Sequence, residues 1–523
     1  MTVSPSRQTD QSAVAAWLET PAAFGAASGK VRRIETHISN IFLHGERALK
    51  MKRAVTFPYL DFASLKQRET ACRAEVRINR RTAPDIYKGV VAVVLGEDGV
   101  FHLDEDGEPV EWLVDMTRFD EAGLFDRLVQ DGQLHRIQMD DLADQIAAFH
   151  AGANVCPTSG GADGTAEIVT NNAACLKSVT GDILASDKVD ALIEAADKML
   201  NVLRGPLNAR QAAGAVRHCH GDLHLRNICM IDDHPVLFDG IEFSSMFSEI
   251  DVLYDLAFLL MDLIFRGHRR LACMAFNRYL DVTGDVVSNP GGLAVLPLFL
   301  SMRATVRAHV DAAQSVSLGD AGLRDERLAD ARRYLDLAGE FLSPQHSRLI
   351  AVGGLSGSGK SRMAREVAPY CGLAPGARVV RTDAVRKRIA GVAQESRLGD
   401  DGYSAEMHQQ TYDAFYAEIE IAIEQGHSVI ADAVFPGSGQ RAQIEAIAER
   451  AGMPFQGLWI EAPVQVLENR VRDRRRDISD ATIEIVRQQS DYDLGDITWA
   501  RIDGSRTRDE TLNLGKREIG IGD

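Results

Sequence analysis

The sequence predicts a chain of α/β and α+β character in which a small β-rich lobe, a larger helical lobe and a doubly wound parallel sheet follow one another. Three observations predict it. The early chain alternates in short apolar runs, IFLHGERALKMKR, GVVAVVLGEDGVFHL and EPVEWLVDM, with EDG and DEDGEP as turn signals between them. After Asp120 the apolar period becomes that of helices, as in ADQIAAFHAGA and VDALIEAADKML. Beyond SPQHS, Ser343 to Ser347, a fresh strand pattern RLIAVGG opens a series of five apolar runs with helical stretches between them, which is how a parallel sheet with crossover helices is written.

The chain has 523 residues, and at roughly 100–200 residues per domain it holds several cores. The patterns divide it into 1–345, made of a β-rich lobe at about 25–118 and a helical lobe at about 119–345, and 346–523. PTSGGADGT, Pro157 to Thr165, is expected to be a surface loop between helices. With 45% hydrophobic and 25% charged residues the composition is globular, which excludes disordered and fibrous classes. A net charge of −17 argues against non-specific binding to nucleic acid or an anionic membrane, because such binding needs basic surface. No apolar run approaches the ~18 residues of a membrane span, and the start, MTVSPSRQTDQ, is polar, so a cytoplasmic protein without membrane contact is expected. Seven cysteines scattered from Cys72 to Cys371 suit reduced thiols better than a disulfide framework.

The densest chemistry lies in RHCHGDLHLRNIC, residues 217–229. A structural zinc site asks for close Cys or His pairs, and Cys219 and Cys229 lie too far apart with no second pair following. The alternative is H-G-D-x-H-x-x-N, from His220 through Asp222 and His224 to Asn227, followed by the strand-like PVLFD ending at Asp239. Phosphoryl transfer from ATP needs one carboxylate to orient the attacking hydroxyl and oxygen ligands to hold Mg²⁺ on the triphosphate. The segment resembles the catalytic loop of the aminoglycoside phosphotransferase and choline kinase group, relatives of the protein kinases. That resemblance implies a bilobal protein-kinase-like fold for the N-terminal part, with Asp222 as catalytic base and Asn227 and Asp239 as Mg²⁺ ligands. His220 and His224 then position the loop, and Cys219 and Cys229 are packing residues. Where protein kinases have Asp-Phe-Gly, this chain has Asp239-Gly240-Ile241-Glu242, leaving Glu242 open between a metal or water ligand and a solvated turn residue.

The same resemblance places further parts upstream. RALKMKR resembles the Ala-x-Lys strand whose lysine grips ATP phosphates. Lys50 matches it, Lys52 shares its side of the strand, and one of the two is expected to be a solvated edge charge. Glu69 and Glu75 are the candidates to pair with the nucleotide lysine; Glu75, beside Val76 and Ile78, is preferred. EWLVDM would supply the hinge to the adenine at Val114 to Met116, and Asp255 would brace the catalytic loop.

The strand RLIAVGG runs into GLSGSGKS, which is G-x-x-x-x-G-K-S from Gly354 to Ser361, and then into a helical stretch. This is the setting of a P-loop: Gly354, Ser356, Gly357, Ser358 and Gly359 shape a cradle of backbone N–H groups, Lys360 reaches the β and γ phosphates, and Ser361 offers its hydroxyl to Mg²⁺. Asp383 follows the second strand with Arg386 three residues on, and Asp432 ends the third. The domain resembles P-loop kinases of the gluconate, shikimate and polynucleotide kind and, more loosely, zeta toxin. By that resemblance Asp383 and Arg386 bind and deprotonate the acceptor hydroxyl, Asp432 holds Mg²⁺ through water, and Arg470 and Arg474 of ENRVRDRRRD form a lid over the phosphates. A solvated basic helix face is the other meaning of such a run.

The two resemblances together imply a tandem protein with two ATP–Mg²⁺ sites, each transferring a phosphoryl group to a hydroxyl of a small molecule such as a sugar or nucleoside. Two other readings stay open: a polynucleotide 5′-hydroxyl kinase at the C-terminal domain, and a regulatory protein in which one ATP site senses nucleotide without transferring it.

Overall fold

The computed structural model describes residues 11–57, 60–181, 183–472 and 478–521. The chain forms two compact units: Met1–Asp141 with Ala148–Ser159 and Arg217–Asp255, and Leu142–Ala147 with Gly160–Val216 and Leu256–Asp523.

In the first unit the alternating runs become strands β1 (Arg32–Glu35), β2 (Ser39–His44) and β3 (Arg47–Lys52), a short ribbon of β4 (Thr56–Phe57) and β5 (Leu60–Asp61), then β6 (Tyr87–Leu95), β7 (Phe101–Leu103) and β8 (Pro109–Thr117). All but the ribbon form one antiparallel sheet in the order β1-β2-β3-β8-β6-β7. The period of two sorts β3 by face. Leu49 and Met51 pack with Val14 and Leu18 of the helix Ser12–Leu18, whereas Ala48 packs on the other face with Cys72 and Val76. Those last two belong to the helix Leu65–Asn79, which starts at Ser64 in a reciprocal cap with Gln67 and buries Arg68, Ala71, Cys72, Glu75, Val76 and Asn79 at helical spacing. Lys50, opposite Ile41 and Val114, points to the helix side of the sheet like Ala48 and Lys52.

The hinge expected at Val114 to Met116 is instead interior to the sheet. Met116 pairs with Ala48 on one side and Tyr87 on the other, so the backbone there is committed to strand hydrogen bonds, and the chain leaves the sheet only at 118–120. The catalytic-loop region follows as β9 (Val216–His218), β10 (Ile228–Ile231), β11 (His234–Leu237) and β12 (Glu249–Asp251), with β10 and β11 forming a hairpin whose turn residues Asp232 and Asp233 both have positive φ.

The second unit contains the helices Gly161–Ser178, Ser186–Ala212, Arg269–Thr283, Gly292–Ser317 and Ala321–Leu342. The expected loop at Pro157 to Thr165 is helical from Gly161 onward: Ala162 and Thr165 are buried, and Asn208 Oδ1 accepts the Ala162 N–H at 2.8 Å, so tertiary contact outweighs the glycines. The window Gly292–Val316 is long and apolar enough to cross a membrane by length and composition, and 72% of it is buried inside the protein, as a core helix is.

The five C-terminal runs are β13 (Leu349–Gly353), β14 (Arg378–Arg381), β15 (Val429–Asp432), β16 (Phe455–Glu461) and β17 (Ala500–Asp503), all parallel, in the order β14-β15-β13-β16-β17. Helices connect them around a core that includes Ile350, Val352, Met363, Val367, Ile430, Leu458 and Ile460. Outer strand β14 is held by the helix Arg269–Thr283. Asn277 Oδ1 accepts the Val379 N–H at 2.7 Å and Asn277 Nδ2 donates to the Ala377 carbonyl at 3.1 Å. Arg378, with no exposed surface, is paired with Asp281 at 2.6 Å and Glu418 at 2.7 Å.

Candidate functional site

The first unit gathers five charged side chains. Lys50 Nζ donates to Glu75 at 2.8 Å and to Asp239 at 2.6 Å. Lys52 is paired with the same Glu75 at 2.5 Å and with Glu242. Neither lysine is a solvated edge charge, contrary to expectation: Lys50 is 7% exposed and Lys52 1%, because both lie on the face of β3 that the helix Leu65–Asn79 covers. Burial works to lower both ammonium groups, and the facing carboxylates override it and raise them, Asp239 and Glu75 acting on Lys50, Glu242 and Glu75 on Lys52. Burial likewise pushes the Glu75 carboxyl up, and the two lysines carry it down to about 2. Glu69 lies on the outer face of the helix with Lys66 and Arg73. Glu242 is no solvated turn residue, since its side chain is 6% exposed against Lys52.

The catalytic-loop residues meet nearby. Asn227 Nδ2 donates to Asp222 Oδ2 at 2.8 Å, and His224 Nε2 lies 3.4 Å from the same oxygen. The loop backbone is held by Asp255, which is fully buried and accepts the N–H groups of His220 at 3.0 Å and Gly221 at 2.8 Å, with His150 Nε2 at 3.1 Å. His220 Nε2 reaches the Phe238 carbonyl at 2.9 Å, and burial keeps its imidazole below the usual value and therefore neutral. Cys219 hydrogen-bonds the Ile250 carbonyl and Cys229 joins a core cluster, which agrees with a packing role. Asp239 stands at a φ of +62°, an uncommon conformation for a residue with a side chain, held because Tyr87 Oη accepts its N–H at 3.1 Å.

Several residues here have no local sequence signal. Asn79 Oδ1 accepts the Gly240 N–H at 2.7 Å, and Arg81 donates to the His218 and Cys219 carbonyls at 2.7 and 3.2 Å. His37, in the turn between β1 and β2, is kept below its usual value by burial and by Arg53, against the pull of the Asp222 carboxylate.

In the second unit the P-loop leaves the end of β13. Gly354 has a φ of +140°, and a Cβ there would stand 2.3 Å from the Ile460 carbonyl oxygen, so the turn requires glycine. Gly359 immediately precedes the helix Lys360–Val367, whose first residue is the P-loop lysine. Gln489 Oε1 accepts the Ser356 N–H at 2.8 Å. Arg470 donates to the Ser358 carbonyl at 3.2 Å and the Gly504 carbonyl at 2.7 Å, so its guanidinium braces the loop backbone. Arg474 lies outside the described residues.

Parallel register sets Val352, Arg381 and Asp432 side by side at the carboxyl ends of β13, β14 and β15, with Arg381 3.4 Å from Asp432. Asp383 lies in the first turn of the helix Thr382–Ile389 just past β14, and Arg386, one turn on, donates to the Gly402 carbonyl at 3.3 Å with Tyr403's ring 5.0 Å away.

The donor sets fit ATP and Mg²⁺. In the first unit an amide oxygen on Asn227 and a half-exposed carboxylate on Asp239 are hard oxygen ligands of the kind Mg²⁺ takes. In the second, Asp432 Oδ1 and Ser358 Oγ are among the buried side-chain atoms with no hydrogen-bond partner among the described residues, and a carboxylate and a hydroxyl are oxygen donors of the kind Mg²⁺ takes.

Residues 349–492 match the family model described as an AAA domain. The uncharacterized protein Rv2004c of Mycobacterium tuberculosis is 30% identical over 490 residues, 91% of this chain and 93% of that protein. The adenylyl-sulfate kinase of Myxococcus xanthus is 28% identical over 119 residues, 23% of this chain and 60% of that enzyme. Among solved structures, a choline/ethanolamine kinase family protein from Mesorhizobium loti covers 63% of this chain and 99% of its own at 14% identity and a TM-score of 0.37. The α/β and α+β architecture expected from the sequence is the one observed: a β-rich antiparallel sheet, a set of long helices and a P-loop domain with a parallel sheet.

Proposed function

Since the chain belongs to the same family as the mycobacterial protein that it matches over 91% of its length, we propose that it is a bifunctional ATP-dependent kinase with separate phosphotransfer sites in 1–345 and 346–523. The observation that supports this reading best is the pairing of Lys50 with Glu75 and Asp239, and of Asn227 with Asp222, in a chain that also carries a complete P-loop.

In the first site Asp222 accepts the proton of an attacking hydroxyl while Asn227 holds its other oxygen in place. Lys50, fixed by Glu75, meets the phosphates of ATP. Mg²⁺, held by Asn227 and Asp239, would neutralise charge that develops on the transferred group.

In the second site the amides of Gly354 to Ser361 cradle phosphate, and Lys360 reaches the transferred group. Ser361 and Asp432 would hold Mg²⁺ there, and Arg470 keeps the cradle in shape through the Ser358 carbonyl. Asp383 takes the proton of the second acceptor, and Arg386 holds that acceptor in place. The acceptors are small molecules bearing a hydroxyl, and the protein works in the cytoplasm, where its seven free thiols stay reduced.

The test is ³¹P NMR of the protein with Mg-ATP and pooled sugars, nucleosides, aminoglycosides and oligonucleotides, beside Asp222→Ala and Lys360→Ala. Two phosphoesters, each lost in one variant only, are expected. Nucleotide hydrolysis with no acceptor phosphorylated in any pool would count against two transferases and for a sensing role, and a labelled oligonucleotide end would assign the P-loop site to polynucleotides.

A further inference from the structure

We propose that Lys52 and Glu242 are positioning residues of the first site, holding Glu75 and the turn that carries Asp239 so that Lys50 alone meets the nucleotide. This rests on the reading of that site as an ATP site.

Two lysines two residues apart on one strand face converge on a single carboxylate, with Lys50 2.8 Å and Lys52 2.5 Å from Glu75. Like charges so close need a reason, and the surroundings of the two differ. Lys52 is enclosed: Glu75 and Glu242 take its ammonium, and the ring of Phe62 lies 5.2 Å away. Its side chain is 1% exposed, so no face is left for a ligand. The second partner of Lys50 is Asp239, whose side chain is 44% exposed. Lys50 therefore stands at the open end of a row of alternating charges, Asp239, Lys50, Glu75, Lys52 and Glu242, and Lys52 at the closed end.

The row explains why a second lysine is present. When Lys50 turns towards phosphate, Glu75, with no exposed surface, would be left as a buried carboxylate with a weakened partner, a costly state. Lys52 keeps it compensated and fixed. Glu242 anchors Lys52 in turn and pins the Asp239 turn at its far end. The rest of that turn is held by Asn79 on the Gly240 N–H at 2.7 Å and by the His220 carbonyl on the Ile241 N–H at 2.9 Å. Two lysines spaced two apart on a strand thus meet two carboxylates spaced three apart on a turn, and the metal-facing carboxylate is set by the pair that does not face the metal.

The experiment uses the full chain carrying Lys360→Ala to silence the P-loop, with ATP binding read by calorimetry in EDTA and turnover with Mg-ATP read on a first-site acceptor found by NMR. Lys50→Met is expected to weaken binding of metal-free ATP ~30-fold and Lys52→Met ~5-fold, while the double variant matches Lys50→Met within about twofold, because with no metal for the Asp239 turn to hold, Lys52 acts through Lys50 alone and adds nothing once Lys50 is gone. Lys52→Arg should recover most of the loss. Multiplying effects in the double variant would overturn the proposal by making Lys52 an independent nucleotide contact, and wild-type affinity in Lys52→Met would overturn it too. If Lys52→Met does not fold, Glu242→Gln replaces it, with the same non-additivity against Lys50→Met expected. Unchanged binding in Lys50→Met would refute the ATP site itself, a result distinct from failure of the positioning role.

Discussion

The two proposed nucleotide sites are built in opposite ways. The P-loop is eight contiguous residues whose function is carried by backbone amides, and its shape depends on glycine where a side chain would strike the Ile460 carbonyl. The first site is made of side chains: Lys50 and Asp239 are 189 residues apart, and its three carboxylates and two ammonium groups come together only after the fold has closed. A backbone site is therefore specified locally and tolerates change in its surroundings, whereas a side-chain site inherits every shift in packing around it.

Variants can break or sharpen that contrast. The largest expected effect is Asp222→Ala, which should lower first-site transfer ~1,000-fold and leave the P-loop reaction untouched, with Lys360→Ala doing the reverse; a coupled assay with each acceptor would show it, and loss of both activities in either variant would mean that the sites are not independent. Next, Arg378→Met leaves Asp281 buried without its cation and Glu418 with Arg388 alone, a loss of ~3–5 kcal/mol that should lower the melting transition of the second unit in calorimetry. Gly354→Ala should cost ~1–3 kcal/mol of local strain and weaken nucleotide binding at the P-loop alone, as titration of each site would read.

The smallest effect is one of pH. Burial lowers His427 to about 4, its Nε2 lying 3.0 Å from the Gly376 carbonyl. The unfolded chain takes up a proton below 6.5 and the native chain does not until about 4, so the second unit loses stability as pH falls through that window. By pH 5.5 the loss should be ~1 kcal/mol, visible as a lower melting temperature that His427→Gln flattens. In the first unit Glu75 acts at lower pH: its stabilisation is present above 4.5 and is lost as pH falls towards about 2.

Legibility in the sequence followed the same divide. The P-loop, the five strands around it and the spacing of Asp222, Asn227 and Asp239 are local patterns; the structure forms the five strands as one parallel sheet and sets Asn227 on Asp222. The shared use of Glu75, the place of Glu242 against Lys52, and the bracing by Asn79, Arg81 and Gln489 are contacts between distant segments, which no window of sequence contains. Residues 161–165 read as loop because glycine is a strong local signal, and the contact with Asn208 that overrides it lies 46 residues away. Val114 to Met116 were misplaced for a related reason: a hinge and a paired strand share the same apolar alternation until the neighbouring strand is known.

The grip of Asn277 on β14 has a consequence for the history and handling of this protein. An amide side chain that accepts one peptide N–H and donates to a nearby carbonyl imitates the neighbour that an edge strand lacks. A P-loop fragment cut at residue 346 would bare that edge and leave Arg378 without Asp281, with Glu418 as its remaining partner, and such edges recruit other chains into aggregates. Separation of the two halves into independent genes would therefore carry a solubility cost, which selects for keeping them on one polypeptide.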